Sequence, residues 1–349
     1  MSGPHVLFLT SGQSVPSTRY RILPYLPRLQ AAGICCDLAQ SFPEKYKQLF
    51  PMGWKASRLL RKMTRRIDLW KARRRNYDAI ILEREIFNDP TWHLEAAFRA
   101  VTRRFILDLD DAIFLNYPDK FARIAGMADQ VLAGNQALAA ESRKHCENVT
   151  VLPTAIDLDE YRFSSPRQPN EVPVIGWIGT ASNVAYLKTA LPALEQLAAH
   201  RRFVLRIVTS HKSVIRKLPF RAVNVEFHRW SAQTATTQIR QFDIGIMPLP
   251  DGPWERYKCG FKLLQYMACN MPAVASPVGV NSEIITHGVN GFLAGTTEDW
   301  LESFNFILDT PEHARFVGEA ARKRIEQTYC IDVQFPKMMS AIVGNGQDF

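Results

Sequence analysis

The chain has 349 residues, of which 46% are hydrophobic, and its 43 Lys and Arg against 34 Asp and Glu give a formal net charge of +9. That length corresponds to about two domains of ordinary size. No run of about 18 apolar residues occurs, so we expect no membrane-spanning helix, and the amino terminus has the pattern of a first strand and not of a signal peptide. The six cysteines show no paired spacing. We therefore expect free thiols in a reducing cytoplasm, with neither disulfides nor zinc.

Apolar and polar segments alternate along the whole chain. In the first half the pattern predicts strands near 5–10, 78–83, 104–108, 130–133 and 149–152 and helices near 18–32, 55–75, 90–101 and 136–146. In the second half it predicts strands near 173–178, 203–208, 223–227, 243–247, 273–276 and 292–294 and helices near 184–199, 232–241, 259–269, 297–308 and 311–328. Alternating β and α elements predict an α/β protein with parallel sheets and right-handed crossovers.

A proline-rich polar segment at residues 163–173 separates the two halves and has the composition of a linker. We place the domain boundary in it. The prediction is a first domain of residues 1–163, a second domain of residues 164–330, and a carboxyl-terminal tail of residues 331–349.

The net charge is concentrated in one segment, residues 55–75, which contains ten Lys or Arg and one acidic residue, Asp68. Apolar residues recur through it at helical spacing, and tryptophans stand near both ends, which predicts a cationic amphipathic helix. Such a helix is expected to hold the protein at an anionic membrane surface or on a phosphate-rich glycolipid, at the inner face of the membrane in the cytoplasm. The basic residues assigned to this contact are Arg58, Arg61, Lys62, Arg65 and Arg66.

Two other interpretations of residues 55–75 are a solvated helix and a nucleic-acid-binding segment. Nucleic acid is not the expected partner, because no recognisable nucleic-acid-binding motif accompanies the basic run.

Residues 256–291 are the most informative stretch for function. Lys258, Lys262 and Gln265 share one face of the helix predicted near 259–269. Lysines at a helix start are favourable when an anion such as a diphosphate binds there, and Gly260 would let that anion approach the backbone. An amphipathic helix with a solvated lysine face is the alternative.

The residues of this stretch occur in a recognisable order. They are Lys258-Cys-Gly-Phe261, Leu263-Leu-Gln-Tyr-Met-Ala268, Pro272-Ala-Val274, Gly279-Val280, Glu283 and Asn290-Gly-Phe-Leu293. This order resembles the carboxyl-terminal half of glycosyltransferase family 4, the glycosyl transferases group 1, clearly over about residues 130–330 and weakly in the amino-terminal half. The resemblance implies the GT-B fold, with two Rossmann-like domains whose parallel sheets face an interdomain cleft. It also implies that the tail at 331–349 crosses back to the first domain.

The same resemblance implies an enzyme that moves a sugar from a nucleotide-diphosphate sugar to an acceptor hydroxyl with retention of configuration. The expected acceptor is a glycan or glycolipid in surface polysaccharide, lipopolysaccharide or glycolipid synthesis. Two alternatives stay open: a non-catalytic protein with a GT-B fold that binds polyanions or membranes, and a GT-B epimerase or phosphorylase.

The resemblance also implies roles for individual residues. Two departures from the family pattern stand out, because Tyr257 and Gln265 occupy the places of two glutamates that usually contact the donor sugar and the ribose. Gln265 can still bond a ribose hydroxyl, and Glu255 is a possible substitute for the other carboxylate. The residues expected to bind the donor are Gly179, Thr180, Glu255, Lys258, Gly260, Phe261, Lys262, Gln265 and Glu283.

The acceptor side is expected in the first half. Arg19 and Arg21 follow the first strand at a predicted helix start, where their charge is unfavourable unless an anionic ligand binds; a solvated arginine pair is the alternative. Asp108-Leu-Asp110 matches the short Asp-x-Asp pattern of metal-dependent glycosyltransferases, but we expect no metal, because lysines and a helix start neutralise the diphosphate. The catalytic candidates are Asp110, Asp111, Lys262 and Glu283.

Overall fold

A computed structural model describes residues 3–49, 51, 53–163 and 169–344. The chain forms two compact units. The first contains the residues up to Ala155, the short segment Tyr257–Cys259 and the residues from Ile331 onward, and the second contains Ile156–Arg256 and Gly260–Cys330. The chain therefore enters the second unit before the predicted linker, of which residues 164–168 lie outside the described residues.

The first unit is built on six strands: β1 His5–Thr10, β2 Cys35–Gln40, β3 Ala79–Glu83, β4 Arg104–Leu109, β5 Gln130–Ala133 and β6 Val149–Val151. They form one parallel sheet in the order β2-β1-β3-β4-β5-β6. Its helices are α1 Leu26–Ala31, α2 Gly53–Arg75, α3 His93–Arg99, α4 Pro118–Met127 and α5 Gln136–Ser142.

The second unit repeats this architecture. Its strands are β7 Val174–Ile178, β8 Val204–Thr209, β9 Val225–Arg229, β10 Ile244–Met247, β11 Ala273–Ala275 and β12 Phe292–Leu293. They form a parallel sheet in the order β12-β11-β10-β7-β8-β9. Its helices are α6 Leu191–His200, α7 Ala235–Arg240, α8 Phe261–Ala268, α9 Asn281–Ile284, α10 Thr297–Asp309 and α11 Pro311–Arg324.

The last helix, α12 Ile331–Val343, belongs to the first unit, where Met338, Ala341 and Ile342 pack in the core with the apolar side chains of the first sheet. In both units the central strands are buried along their whole length, as parallel strands covered on both faces are. The prediction of two Rossmann-like domains with parallel sheets is confirmed.

Candidate functional site

The carboxyl ends of β1, β3 and β4 bring together a group of buried charges in the first unit. Glu83, the last residue of β3, is 1% exposed and accepts a hydrogen bond from the backbone N–H of Ser11 at 3.1 Å. It also accepts hydrogen bonds from the hydroxyls of Ser17 and Thr18. Because ligands of parallel α/β sheets bind at this end of the strands, Glu83 fixes the loop after β1 where a ligand is expected.

Arg21 lies in this group and is 2% exposed. Its Nε and Nη2 donate to the two carboxylate oxygens of Asp108 at 2.9 and 2.6 Å, and its Nη1 donates to the carbonyl of Leu152 at 3.0 Å. Burial lowers the pKa of Arg21, but Asp108 outweighs it and the net pKa is raised. The sequence predicted that the charge of Arg21 needs an anionic ligand. In the structure Asp108 already neutralises that charge. Arg19 is half-buried, with its guanidinium 5.5 Å from the centre of the Tyr20 ring.

Arg84, directly after β3, pairs with the carboxylates that follow β4. Its Nη2 donates to Asp110 Oδ2 at 3.0 Å, its Nε contacts Oδ1 of the same carboxylate, and its Nη1 lies 3.5 Å from Asp111 Oδ2. Burial raises the pKa of Asp110, but the charge and hydrogen bonds of Arg84 outweigh it and the net pKa is lowered. The pKa of Asp111 is raised by burial, against the opposing charge of Arg84.

The segment Tyr257–Cys259 packs against these carboxylates within the first unit. Cys259 donates its thiol to the carbonyl of Asp110 at 3.3 Å, and the carbonyl of Tyr257 accepts from Asn135 Nδ2 at 2.8 Å. The Tyr257 ring meets Phe114 edge-on, with 4.8 Å between ring centres. The positive charge of Lys258 acts on Asp111 and opposes the rise in its pKa. Lys258 therefore lies with the group predicted for the acceptor side.

In the second unit α8 begins later than predicted, because Gly260 precedes it in the left-handed conformation with φ of 66°. The prediction that Lys258, Lys262 and Gln265 share one helix face is therefore wrong for Lys258, which stands before the helix. A side chain at Gly260 would also meet Ile284, since its Cβ would lie 2.5 Å from Cδ1. Only glycine adopts such a conformation without strain in so little space.

Lys262 is the second residue of α8 and is half-buried. Its Nζ lies 5.6 Å from the centre of the Trp177 ring on β7. Gly179, just after β7, leaves the space for this contact, because a Cβ there would lie 2.8 Å from Lys262 Cε. A lysine in the first turn of a helix, at the carboxyl end of a parallel sheet, is suited to bind an anion.

The other predicted donor-binding residues are spread around this helix start. Gln265 is 5% exposed and donates Nε2 to the hydroxyl of Tyr161 at 3.1 Å. Glu255 accepts a hydrogen bond from the hydroxyl of Tyr186. Thr180 and Glu283 are exposed, and Phe261 is half-buried.

Asn281 was not predicted from the sequence. It is 1% exposed and donates Nδ2 to the carbonyl of Ser276 at 3.0 Å, while its Oδ1 has no hydrogen-bond partner among the described residues. That oxygen is close to the start of α8, since a Cβ on Gly260 would lie 3.7 Å from it. A buried acceptor without a partner is costly in the unliganded protein and suggests a ligand donor.

A cavity of about 300 Å³ lies in the first unit at the amino-terminal end of α2. Arg58 crosses it to Asp89, with 2.9 Å between Nη2 and Oδ2. Saccharides bind to surfaces that combine aromatic ring faces with hydrogen-bonding groups. The lining includes Tyr46, Trp54, Arg58, Arg61, Asn88 and Asp89.

Helix α2 turns two of the five basic residues assigned to an anionic surface towards the inside of the first unit. Arg61 and Arg65 are 8% and 2% exposed and donate to backbone carbonyls of the unit, so the prediction that they contact an outside anionic surface is wrong. Burial lowers the pKa of both guanidiniums. Arg58 and Arg66 are exposed and Lys62 is partly exposed. None of the described helices is both long and apolar enough to cross a bilayer.

The Asp-x-Asp pattern at the end of β4 does not form an open pair of carboxylates. Asp108 is bound by Arg21 in a buried pair, and Asp110 is bound by Arg84 in a pair whose side chains are 13% and 12% exposed. Elsewhere in the described part of the chain, no group of three His, Cys, Asp or Glu side chains has an arrangement suited to a metal ion.

One protein-family pattern matches part of the chain. The sequence pattern described as Glycosyl transferases group 1 matches residues 172–310, which contain α8 and the strands beside it. This match covers less than half of the chain. The resemblance to family 4 seen in the sequence is confirmed over these residues. No curated protein matches the chain in a sequence search.

Solved glycosyltransferases share the fold over nearly the whole chain. A glycosyltransferase from Rickettsia africae is 16% identical, with a TM-score of 0.74 and coverage of 99% of this chain and 100% of that one. The Anabaena HepE protein in complex with UDP-glucose is 17% identical, with a TM-score of 0.67 and coverage of 97% and 99%. The lipopolysaccharide outer core galactosyltransferase WaaB is 15% identical, with a TM-score of 0.61 and coverage of 97% and 99%. At these identities the likeness establishes the GT-B fold.

Proposed function

We propose that this protein is a retaining glycosyltransferase that moves a sugar from a nucleotide-diphosphate sugar to an acceptor hydroxyl. The observation that carries the proposal is the start of α8, where Lys262 stands at a helix amino terminus beside Gly179, inside the segment that matches the family. A diphosphate there is stabilised by the helix dipole and by the lysine. The stabilisation increases as negative charge develops on the departing diphosphate, which is the condition for a faster reaction.

The remaining donor contacts are assigned around that helix. Gln265, held by Tyr161, is assigned to the ribose. Asn281 Oδ1, Glu255 and Glu283 are assigned to the hydroxyls of the sugar, and the Gly179-Thr180 backbone to the diphosphate. A uridine-diphosphate sugar is the first donor to test, since the structurally similar HepE protein has been crystallised with UDP-glucose.

The acceptor is assigned to the first unit. Asp110 is neutralised by Arg84, so we assign the acceptor hydroxyl to Asp111, with Lys258 as a nearby cation, and we also assign Arg19 to the acceptor side. The cavity between Tyr46, Trp54 and Asn88 is assigned to a saccharide unit of the acceptor. Arg84 contacts both Asp111 and the cavity, because its Nη1 also lies 3.5 Å from the hydroxyl of Tyr46.

We propose a glycan or glycolipid acceptor in the synthesis of a surface polysaccharide, lipopolysaccharide or glycolipid, and a peripheral position at the inner face of the membrane. The basic helix α2 and the fold shared with a lipopolysaccharide galactosyltransferase support this assignment. No metal is required in this proposal, because Lys262 and the start of α8 neutralise the diphosphate.

A thermal-shift screen of nucleotide-diphosphate sugars, followed by an assay for released nucleotide diphosphate with a glycolipid extract, tests the proposal. A donor at about 100 times its Kd should stabilise the protein by about 2.7 kcal/mol and raise its Tm by a few degrees. Release of the nucleotide diphosphate that depends on the extract is the expected result. An epimerase would instead alter the sugar without an acceptor, and a pure binding protein would release nothing.

A further inference from the structure

The outer face of α2 presents an apolar stripe to water. Leu59, Met63, Ile67 and Trp70 are 62%, 51%, 51% and 54% exposed, and their spacing places them along one side of the helix. Large exposed apolar patches on soluble domains usually mark a site of interaction. Exposed basic residues border the stripe, and the guanidinium of Arg74 lies 3.6 Å from the centre of the Trp70 ring. The exposed basic residues of α2 are Lys55, Arg58, Arg66, Lys71, Arg73, Arg74 and Arg75.

The inner face of α2 explains why this stripe points outward. Arg61 donates Nη1 to the carbonyl of Lys47 at 2.9 Å, and Arg65 donates Nη1 to the carbonyl of Ala39 at 2.8 Å. Leu69 and Ala72 continue the same buried side. A rotation that buried the apolar stripe would break these bonds and leave the carbonyls of Lys47 and Ala39 without these donors, which is unfavourable. The orientation of the helix is therefore fixed by buried arginines.

The charges of α2 indicate what covers the stripe. Its one acidic residue, Asp68, is on the inner side and pairs with Arg65, with 3.3 Å between Oδ2 and Nη1. The outer face of the helix is thus apolar along its centre and cationic along its edges, without a carboxylate. An anionic bilayer is complementary to this pattern, because it offers acyl chains below a layer of negative headgroups.

We infer that α2 lies parallel to the surface of an anionic bilayer, with Leu59, Met63, Ile67 and Trp70 inserted and the bordering basic residues among the headgroups. This refines the membrane position in the proposed function and rests on it, but it involves neither donor nor acceptor. Vesicle binding without substrates therefore tests it separately: if vesicles do not bind while a nucleotide sugar stabilises the protein, only this inference fails.

Co-sedimentation of the whole protein with two kinds of vesicle tests the inference. One is phosphatidylcholine alone, and in the other about a third of the lipid is phosphatidylglycerol. We expect binding to the anionic vesicles that weakens with salt. Leu59→Gln/Met63→Gln should lower it about tenfold or more, because the inserted apolar area is lost. The matched control is Val289→Gln/Phe316→Gln, which changes two side chains of the second unit that are 57% and 56% exposed, and it should bind normally.

The charge contribution is tested with Arg66→Gln/Lys71→Gln. At about fivefold per removed cation, this variant should bind anionic vesicles about 25-fold more weakly. Arg216→Gln/Lys217→Gln, with the same charge change on exposed residues of the second unit, is the control and should bind normally. Equal binding to neutral and anionic vesicles, or full binding by Leu59→Gln/Met63→Gln, overturns the inference. So does a lipid-free dimer that this variant converts to a monomer, since the stripe would then bind a second copy of the chain.

Discussion

Arg84 holds Asp110 with two nitrogen atoms, Nη2 at 3.0 Å from Oδ2 and Nε against Oδ1. The arginine backbone has a φ of 56°, in the left-handed region that residues with side chains seldom adopt. Its N–H donates to the carbonyl of Asp108 at 2.8 Å, which ties the end of β3 to the end of β4. Backbone strain and a largely buried ion pair thus coincide at the carboxyl ends of the strands, where function often maintains such strain.

Arg84→Met should lower the free energy of unfolding by up to about 3 kcal/mol, because it leaves the largely buried Asp110 carboxylate without its partner. Denaturant unfolding measures this. Arg84→Met/Asp110→Asn, which removes both charges, should recover part of the loss. Arg103→Met is the control, since Arg103 is 88% exposed in its ion pair with Asp78 and should contribute little. A double variant no more stable than Arg84→Met would show that the pair does not act as a unit.

Lys45 gives a prediction about alkaline pH. It donates Nζ to the carbonyl of Glu85 at 2.7 Å, and burial lowers its pKa from 10.5 to about 8. Between these values the unfolded chain binds more protons than the folded one, so this lysine makes stability rise with pH there, by at most about 1.4 kcal/mol per pH unit. Lys45→Met should remove that contribution, whereas Lys217→Met, at an exposed lysine, should leave the slope as it is. Equal slopes in Lys45→Met and the parent protein would mean that Lys45 titrates normally.

Asp111 is the carboxylate assigned to the acceptor hydroxyl. Asp111→Asn should lower acceptor-dependent turnover by about 10²-fold or more, in the range of lost acid–base or positioning groups, and leave donor binding unchanged. Burial raises the pKa of Asp111, so the parent rate should fall as the pH drops through a value above that of an ordinary aspartate. The asparagine variant should lack this acidic limb. Normal turnover in Asp111→Asn would remove the residue from the site.

The period of apolar residues was enough to predict most of the fold. The eight central strands and the long helix α2 were predicted within a few residues, because each of these strands is a continuous buried run and α2 has a regular helical pattern. Strand β2 was missed, since it is an edge strand with little buried apolar surface. Its Asp37 instead accepts a hydrogen bond from the hydroxyl of Tyr77 at 2.6 Å. Helix α4 was also missed, between two predicted strands.

The candidate sites were only partly predictable. Lys262 and Gly260 were found because neighbours in sequence form the helix start. The ion pair of Arg21 with Asp108 joins residues that are 87 positions apart in the sequence, so no local pattern indicates that Asp108 neutralises Arg21. The spacing of Arg61 and Arg65 fits a charged outer face and a buried inner face equally well, and only the carbonyls they contact decide between the two.

Lys262→Ala should lower kcat/KM by about 10²–10³-fold, or roughly 2.7–4 kcal/mol, because it removes a cation from the developing diphosphate charge. The Tm of the unliganded protein should change little, since Lys262 is only half-buried. Lys188→Ala, at an exposed lysine of the same unit, is the matched control and should be fully active. A large fall in the unliganded Tm would instead identify Lys262 as a structural residue.

Titration calorimetry of the stabilising nucleotide-diphosphate sugar in EDTA, with the parent protein and Lys262→Ala side by side, tests the central claim most directly. The start of α8 is proposed to bind the diphosphate without a metal. The predicted result is donor binding that persists in EDTA and that Lys262→Ala weakens about tenfold or more, as expected for a charge-assisted contact. Binding that disappears in EDTA and returns with Mn²⁺, or that is equal in the two proteins, would contradict the account.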